Sequence, residues 1–165
     1  MSGIRPQPSA IRRIGLISDT HGLVRPEVHG ALAAVEMILH AGDVGGDEVL
    51  DELSTIAPVH AVSGNIDPPG NRRLHQALDI VVGGFTIHVS HGHELGVPKP
   101  EKLLMAYNAQ VIVFGHTHEP LVVRADGRLV VNPGAAGAAR FDLKPSVAIL
   151  EIRSGSAEVT VVPIG

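Results

Sequence analysis

The segment Val111-Ile-Val-Phe-Gly-His-Thr-His118 places two histidines at i and i+2, directly after a short apolar run. In extended backbone these positions point the same way. His116 and His118 are therefore expected to face one spot just past the end of a buried strand, as metal-binding imidazoles do. The pattern recurs. Ile14-Gly-Leu-Ile-Ser18 leads into Asp19-Thr-His21, Met37-Ile-Leu-His-Ala41 into Gly42-Asp43, Val59-His-Ala-Val-Ser63 into Gly64-Asn65, and Phe85-Thr-Ile-His-Val-Ser90 into His91-Gly92-His93. In open α/β sheets ligands bind beyond the carboxyl ends of the strands. Strands in related sheets can thus bring together Asp19, His21, Asp43, Asn65, His91, His116 and His118. Any one of these could simply cap a helix or close a turn. Seven, each closing an apolar run, point to a shared site.

These side chains offer oxygen and nitrogen donors of intermediate hardness, and the chain has no cysteine. The set suits Mn, Fe, Zn, Co or Ni rather than copper(I) or an iron–sulfur cluster. Four imidazoles argue against an all-oxygen Mg or Ca cage, and seven ligands exceed the four that one zinc takes. Two ions sharing a carboxylate fit better. Such pairs sit ~3.5–4 Å apart, clamp the attacking and leaving oxygens of a displacement at phosphorus, and acidify a shared water into a nucleophile.

Positioning these residues takes a particular run of elements. Strands are expected over 11–18, 37–41 and 59–63, with helices over 25–35 and 47–55 between them. Val28, Leu32 and Val35 lie at helical spacing behind Pro26, and Asp47 and Glu48 suit the start of the second helix. Residues 67–73, Asp-Pro-Pro-Gly-Asn-Arg-Arg, must be loop. Beyond them the pattern changes. Hairpins are expected over 78–89 around Gly83-Gly84, over 121–131 around Asp126-Gly127, and over 147–162 around Ser154-Gly-Ser156. A third helix fits 100–107, before the strand at 111–114. A β-α-β-α-β start predicts parallel strands with crossover helices, and the hairpins predict antiparallel additions. Two mixed sheets packed face to face with helices outside satisfy both. The run Gly134-Ala-Ala-Gly-Ala-Ala139 reads as a close backbone approach.

The chain has 165 residues and a formal charge of −4. That length suits one domain, and it can bury roughly 70 % of the surface its unfolded form exposes. Residues 11–165 are expected to form that domain, with 1–10 a loose polar lead-in without the apolar core of a signal peptide. No apolar run approaches the ~20 residues of a membrane helix. The acidic balance and four aromatic residues (three Phe, one Tyr) give no strong nucleic-acid signal. The lack of cysteine suits a cytoplasmic location.

The ordered blocks Asp19-Thr20-His21, Gly42-Asp43, Gly64-Asn65, His91 and Gly115-His116-Thr117-His118 resemble those of calcineurin-like metallophosphoesterases, in particular the small bacterial and archaeal phosphodiesterases. Asn132-Pro133-Gly134 extends the resemblance. It implies an α/β fold, a four-layer α/β/β/α sandwich of two mixed β-sheets, and a dinuclear phosphodiesterase that uses a metal-bridging water or hydroxide. It also assigns roles. Asp19, His21 and His118 would hold one divalent ion, Asn65, His91 and His116 a second, and Asp43 would bridge. Manganese is the first expectation, with Ni, Fe, Zn or Co also suited.

One departure matters. Many members follow Gly-Asn with a histidine that protonates the leaving group, and here Ile66 stands in its place. His93 is the candidate replacement acid. Asn65 and His93 are thus the catalytic candidates, and Arg140 is a candidate phosphate contact. The expected substrate is a small phosphodiester with a good leaving group. Exposed hairpin edges leave a homodimer open. The alternative function is a non-catalytic metal-binding scaffold for protein contacts on the same fold.

Overall fold

The computed structural model describes residues 11–139 and 142–165, so both the expected lead-in over 1–10 and Arg140 lie outside the described residues. In chain order the strands are β1 (Arg12–Ile17), β2 (Met37–His40), β3 (Val59–Val62), β4 (Leu74–His75), β5 (Ala77–Val82), β6 (Phe85–Ser90), β7 (Val111–Val113), β8 (Leu121–Ala125), β9 (Arg128–Asn132), β10 (Ser146–Arg153) and β11 (Ser156–Pro163). Helices α1 (Pro26–Ala31), α2 (Asp47–Ser54) and α3 (Pro100–Ala106) connect them, with a short 3-10 helix at His93–Leu95.

The strands form two mixed sheets, ordered β11-β10-β1-β2-β3-β4 and β5-β6-β7-β9-β8. β1 runs parallel to β2, and β2 to β3; β10 pairs antiparallel on the other side of β1. In the second sheet β6, β7 and β9 are parallel, with β5 and β8 antiparallel at its edges. The sequence signals explain this split: crossover helices enforce parallel neighbours, and tight turns enforce antiparallel ones. Asp126 and Gly127 both take positive φ (53° and 73°), the backbone a two-residue hairpin needs.

Strand alternation divides the core into three parts. Ile14 and Leu16 of β1, Leu39 of β2, Ile87 and Val89 of β6, and Val111 and Val113 of β7 meet in one cluster between the sheets. Ile17, Ile38 and Ala61 point the other way, against Val28, Leu32, Val49, Leu50 and Leu53 of the α1 and α2 segments. Ile112 and Val130 face Leu103 of α3. The α1 and α2 segments thus share a cluster with the first sheet, and α3 shares one with the second.

Two local expectations change. α1 stops at Ala31 rather than 35, yet Leu32 and Val35 stay buried. The chain turns on a hydrogen bond from Val35 N to the Leu32 carbonyl. The i, i+4, i+7 spacing marked a buried face, which a turn can complete without a helix. Leu74–His75 forms a two-residue parallel strand beside β3 directly after the 67–73 loop. A strand that short carries no legible period.

Candidate metal centre

Each of the seven residues follows the carboxyl end of a strand: Asp19 and His21 after β1, Asp43 after β2, Asn65 after β3, His91 after β6, and His116 and His118 after β7. Five of them take left-handed backbone: Asp19 (φ 52°), His21 (47°), Asp43 (55°), His116 (72°) and His118 (66°). Among the described residues the only other non-glycine with positive φ is Asp126, in its hairpin turn. Such backbone costs about 1–3 kcal/mol per residue and persists only where the surroundings fix it. Here hydrogen bonds lace the loop after β1 to the loop after β2: Asp19 N to Gly42 O (2.9 Å), His21 N to Asp43 O (3.0 Å) and Gly22 N to Val44 O (2.8 Å).

The structure corrects the geometry expected for His116 and His118. They are not extended and do not share one spot. His118 Nε2 lies 3.3 Å from Asp19 Oδ1, and its ring is 5.3 Å from that of His21. The His116 ring instead sits 5.1 Å from His91. The left-handed turns send the pair to two sides of the centre.

Each carboxylate has one oxygen anchored and one presented. Asp19 Oδ2 accepts from Ser18 Oγ (2.6 Å) and His116 N (3.1 Å). Its Oδ1 faces Nε2 of His118, His21 (3.7 Å) and His91 (3.9 Å). Asp43 Oδ1 accepts from Ile66 N (3.0 Å), and its Oδ2 lies 3.7 Å from His21 Nε2 and 3.3 Å from His91 Nε2. The His91 Nδ1–H donates to the Ala41 carbonyl (2.8 Å), which leaves Nε2 with a free lone pair. Three of these atoms, Asp19 Oδ1, His21 Nε2 and His91 Nε2, are buried without a hydrogen-bond partner. Each such group costs about 1–3 kcal/mol. Two overlapping groups have ligand atoms all within 4.8 Å of one another: Asp19, His21 and His118, and Asp19, Asp43 and His91. The donor set and its orphaned atoms fit divalent cations.

The electrostatics run the same way. Burial works to raise the Asp19 carboxyl, but His118, His21 and His91 outweigh it and hold it well below the usual range. Burial also opposes ionisation of Asp43, and His91 and the Ile66 amide bring it down. His91 moves up despite its burial because Asp43 and Asp19 face it. His116 moves down through burial and then repulsion from His91.

Behind these residues stand others that fix their loops. His40 is fully buried, with Nε2 3.0 Å from Thr20 Oγ1, and its Nδ1 accepts from Gly42 N (3.1 Å). Asp67 accepts from the amides of Val44 (3.1 Å), Gly45 (3.1 Å) and Gly64 (2.8 Å), so it ties the loop after β2 to the loop after β3. Its place two residues after Asn65 was the only available signal. Asn132 donates to Gly115 O (3.1 Å) and Thr117 Oγ1 (3.0 Å), which holds the double-histidine loop. The expected close approach of 134–139 also holds: Ala136 N donates to Ser18 O (2.9 Å), and a Cβ on Gly137 would collide with the Thr20 carbonyl.

The remaining candidates lie at the rim. Asn65 is exposed in the turn after β3. Ile66 is 46 % exposed. The His93 ring lies 5.3 Å from His91 and 6.2 Å from His116. Arg73 pairs with Asp51 on α2 (2.8 Å) rather than facing the centre.

Residues 13–155 match the calcineurin-like phosphoesterase superfamily domain. The chain is 33 % identical over 162 residues to a probable metallophosphoesterase of Methanothermobacter thermautotrophicus, covering 92 % of each. It is 28 % identical over 142 residues to a phosphodiesterase of Methanocaldococcus jannaschii, covering 74 % of this chain and 82 % of that one. Among solved structures, Vps29 of Entamoeba histolytica complexed with zinc matches with a TM-score of 0.77 at 25 % identity, covering 93 % of this chain and 99 % of that one. A structure described as a novel archaeal phosphodiesterase matches with a TM-score of 0.72 at 25 % identity, covering 91 % and 99 %.

Proposed function

The chain belongs to the calcineurin-like phosphoesterase superfamily, and from that premise we propose that it is a dinuclear metal-dependent phosphodiesterase. Residues 11–165 act as one domain. Asp19, His21 and His118 hold one divalent ion; Asn65, His91 and His116 hold the other; Asp43 lies between them. The observation that carries this is that the buried, unpartnered Asp19 Oδ1 faces two other such atoms, His21 Nε2 and His91 Nε2, which belong to two overlapping ligand groups. Manganese is the first candidate, with Ni, Fe, Zn or Co suited to the same donors. The ions supply Lewis acidity at phosphorus and an acidified water as the nucleophile.

The protein's own residues do the rest. Ser18 and the His116 amide orient Asp19; the Ala41 carbonyl orients His91; Ile66 contributes its amide to Asp43 and has no proton to give. His93, beside His91 and His116, would protonate a departing alkoxide. With a single exposed histidine in this role, diesters with good leaving groups should react best, and monoesters poorly. A phosphodiesterase among the relatives supports this preference. The scaffold alternative draws support from the Vps29 likeness, but protein contacts need no buried, unpartnered ligand atoms.

The test uses metal-stripped protein with Mn, Ni, Zn or Mg added back, against bis-p-nitrophenyl phosphate and p-nitrophenyl phosphate, with Asp43→Asn alongside. Metal-dependent diester cleavage that the variant loses is the expected result. Faster monoester cleavage would sink the diester preference. No turnover with two bound equivalents of metal would favour the scaffold.

A further inference from the structure

Beside the His91 and His116 side of the centre lies a cleft of about 370 Å³ that none of the five blocks explains. Ser63, Gln76, Ser90, His93, Glu94 and Tyr107 line it. Its position follows from the fold: Ser63 directly follows β3 two residues before Asn65, Ser90 ends β6 directly before His91, and Tyr107 follows α3. The cleft therefore opens where the second ion's ligands begin. His93 stands at the junction, shared by the cleft and the histidine cluster.

The lining is polar and arranged. Glu94 Oε1 accepts from Gly92 N (2.9 Å) and Oε2 from the Tyr107 hydroxyl (2.8 Å), which fixes the carboxylate in the wall. Tyr107 is itself held by stacking on His88, ring centroids 3.8 Å apart. Ser90 is 1 % exposed and stands in the wall beside Glu94 and Tyr107.

We infer that this cleft seats a neutral polyhydroxylated alcohol of the phosphodiester, of the sugar or glycerol type. The Glu94 carboxylate accepts hydroxyl donors and repels a second phosphate, and the lining has no lysine or arginine to neutralise one. The Ser90 hydroxyl and the Gln76 amide can each both donate and accept, as ring or chain hydroxyls require. The volume falls in the range of small-molecule sites. An alcohol held there lies next to His93. The inference rests on the phosphodiesterase reading for the bond that is cut, though not for whether the cleft is filled.

The experiment titrates metal-loaded protein with methyl β-D-ribofuranoside, and separately with cyclopentanol as a ring of similar size bearing one hydroxyl. Amide NMR shifts of Gly92 and Glu94 and competitive inhibition of bis-p-nitrophenyl phosphate cleavage are read together. The riboside should shift both amides and inhibit, and cyclopentanol should do neither. Glu94→Gln and Ser90→Ala should each weaken the riboside by roughly tenfold. Equal effects of the two compounds, shifts without inhibition in a protein that does cleave the diester, no shifts, or variants that bind the riboside as the parent does would each overturn the inference. Riboside shifts in a protein that cleaves no diester would overturn the phosphodiesterase reading and leave the polyol site standing.

Discussion

His40 shows how one buried side chain can set acid stability. Full burial pushes its pKa down from 6.5 to about 4, because the nearby carboxylates of Asp19, Asp67 and Asp43 only partly offset the loss of water around an imidazolium. Below pH 6.5 the unfolded chain takes up a proton that the folded chain refuses until about pH 4. The contribution of His40 is therefore complete above pH 6.5 and falls as pH drops through that window, by roughly 3 kcal/mol in all. His91 has the opposite sign: its raised pKa adds stability at low pH that is lost as pH rises through the folded value. Chemical denaturation of metal-free protein at pH 4.5 and 7 should show the His40 loss, and His40→Gln should flatten it. An unchanged pH slope in the variant would refute the assignment. His93 makes a kinetic prediction. His93→Ala should slow cleavage of alkyl diesters by about 10²-fold and change the pH–rate profile. It should affect bis-p-nitrophenyl phosphate far less, since nitrophenolate leaves without a proton. Equal losses on both substrates would point to a positioning role instead.

The loops that end the strands work as a tied set. Asp67 reaches three amides from two different loops, so Asp67→Ala frees the segment that carries Asp43 from the one that carries Asn65. The expected loss is about 2–4 kcal/mol of stability and 10–100-fold in metal affinity, read by denaturation and by metal titration. Intact affinity would mean that Asp43 is fixed by the Ile66 amide alone. Gly64→Ala tests the same junction sterically, because a Cβ there would collide with Asp43 Oδ1 and its backbone amide. At this scale the sequence was informative where chemistry and period coincide. Strand alternation, crossover helices, glycine turns and the seven strand-end residues were all readable. Asp67 was not, because its partners are backbone amides brought near only by folding. Nor was the left-handed backbone at His116 and His118, because i and i+2 spacing describes direction only while the chain stays extended. The cleft beside Glu94 was hidden for a similar reason: Ser63, Ser90 and Tyr107 come from separate elements and share no motif.

On the scale of the molecule, the centre lies on the seam between the two sheets. Asp19, His21, Asp43 and Asn65 hang from the sheet built on β1, and His91, His116 and His118 hang from the sheet built on β6 and β7. The apolar cluster between the sheets joins them over most of their faces. At the ligand end hydrogen bonds cross as well, among them His91 Nδ1 to Ala41 O, His116 N to Asp19 Oδ2 and Ala136 N to Ser18 O. Divalent ions bound there would cross-link the sheets and relieve the unpartnered buried atoms, and such ligands bind the folded chain alone. Stabilisation then follows mass action, about 2.7 kcal/mol at a hundredfold excess over Kd. For a chain of this size that is roughly 5–10 °C in Tm. Removing metal from the loaded protein should lower Tm by about this amount. It should also speed amide exchange in the loops after β2, β6 and β7 while the strands between the sheets stay protected. Asp43→Asn should show a much smaller shift on loading, because it weakens the ligand set from both sheets at once. A Tm that ignores metal, or an equal shift in the variant, would show that the apolar seam alone holds the sheets together and that the seven residues do not bind ions as a unit.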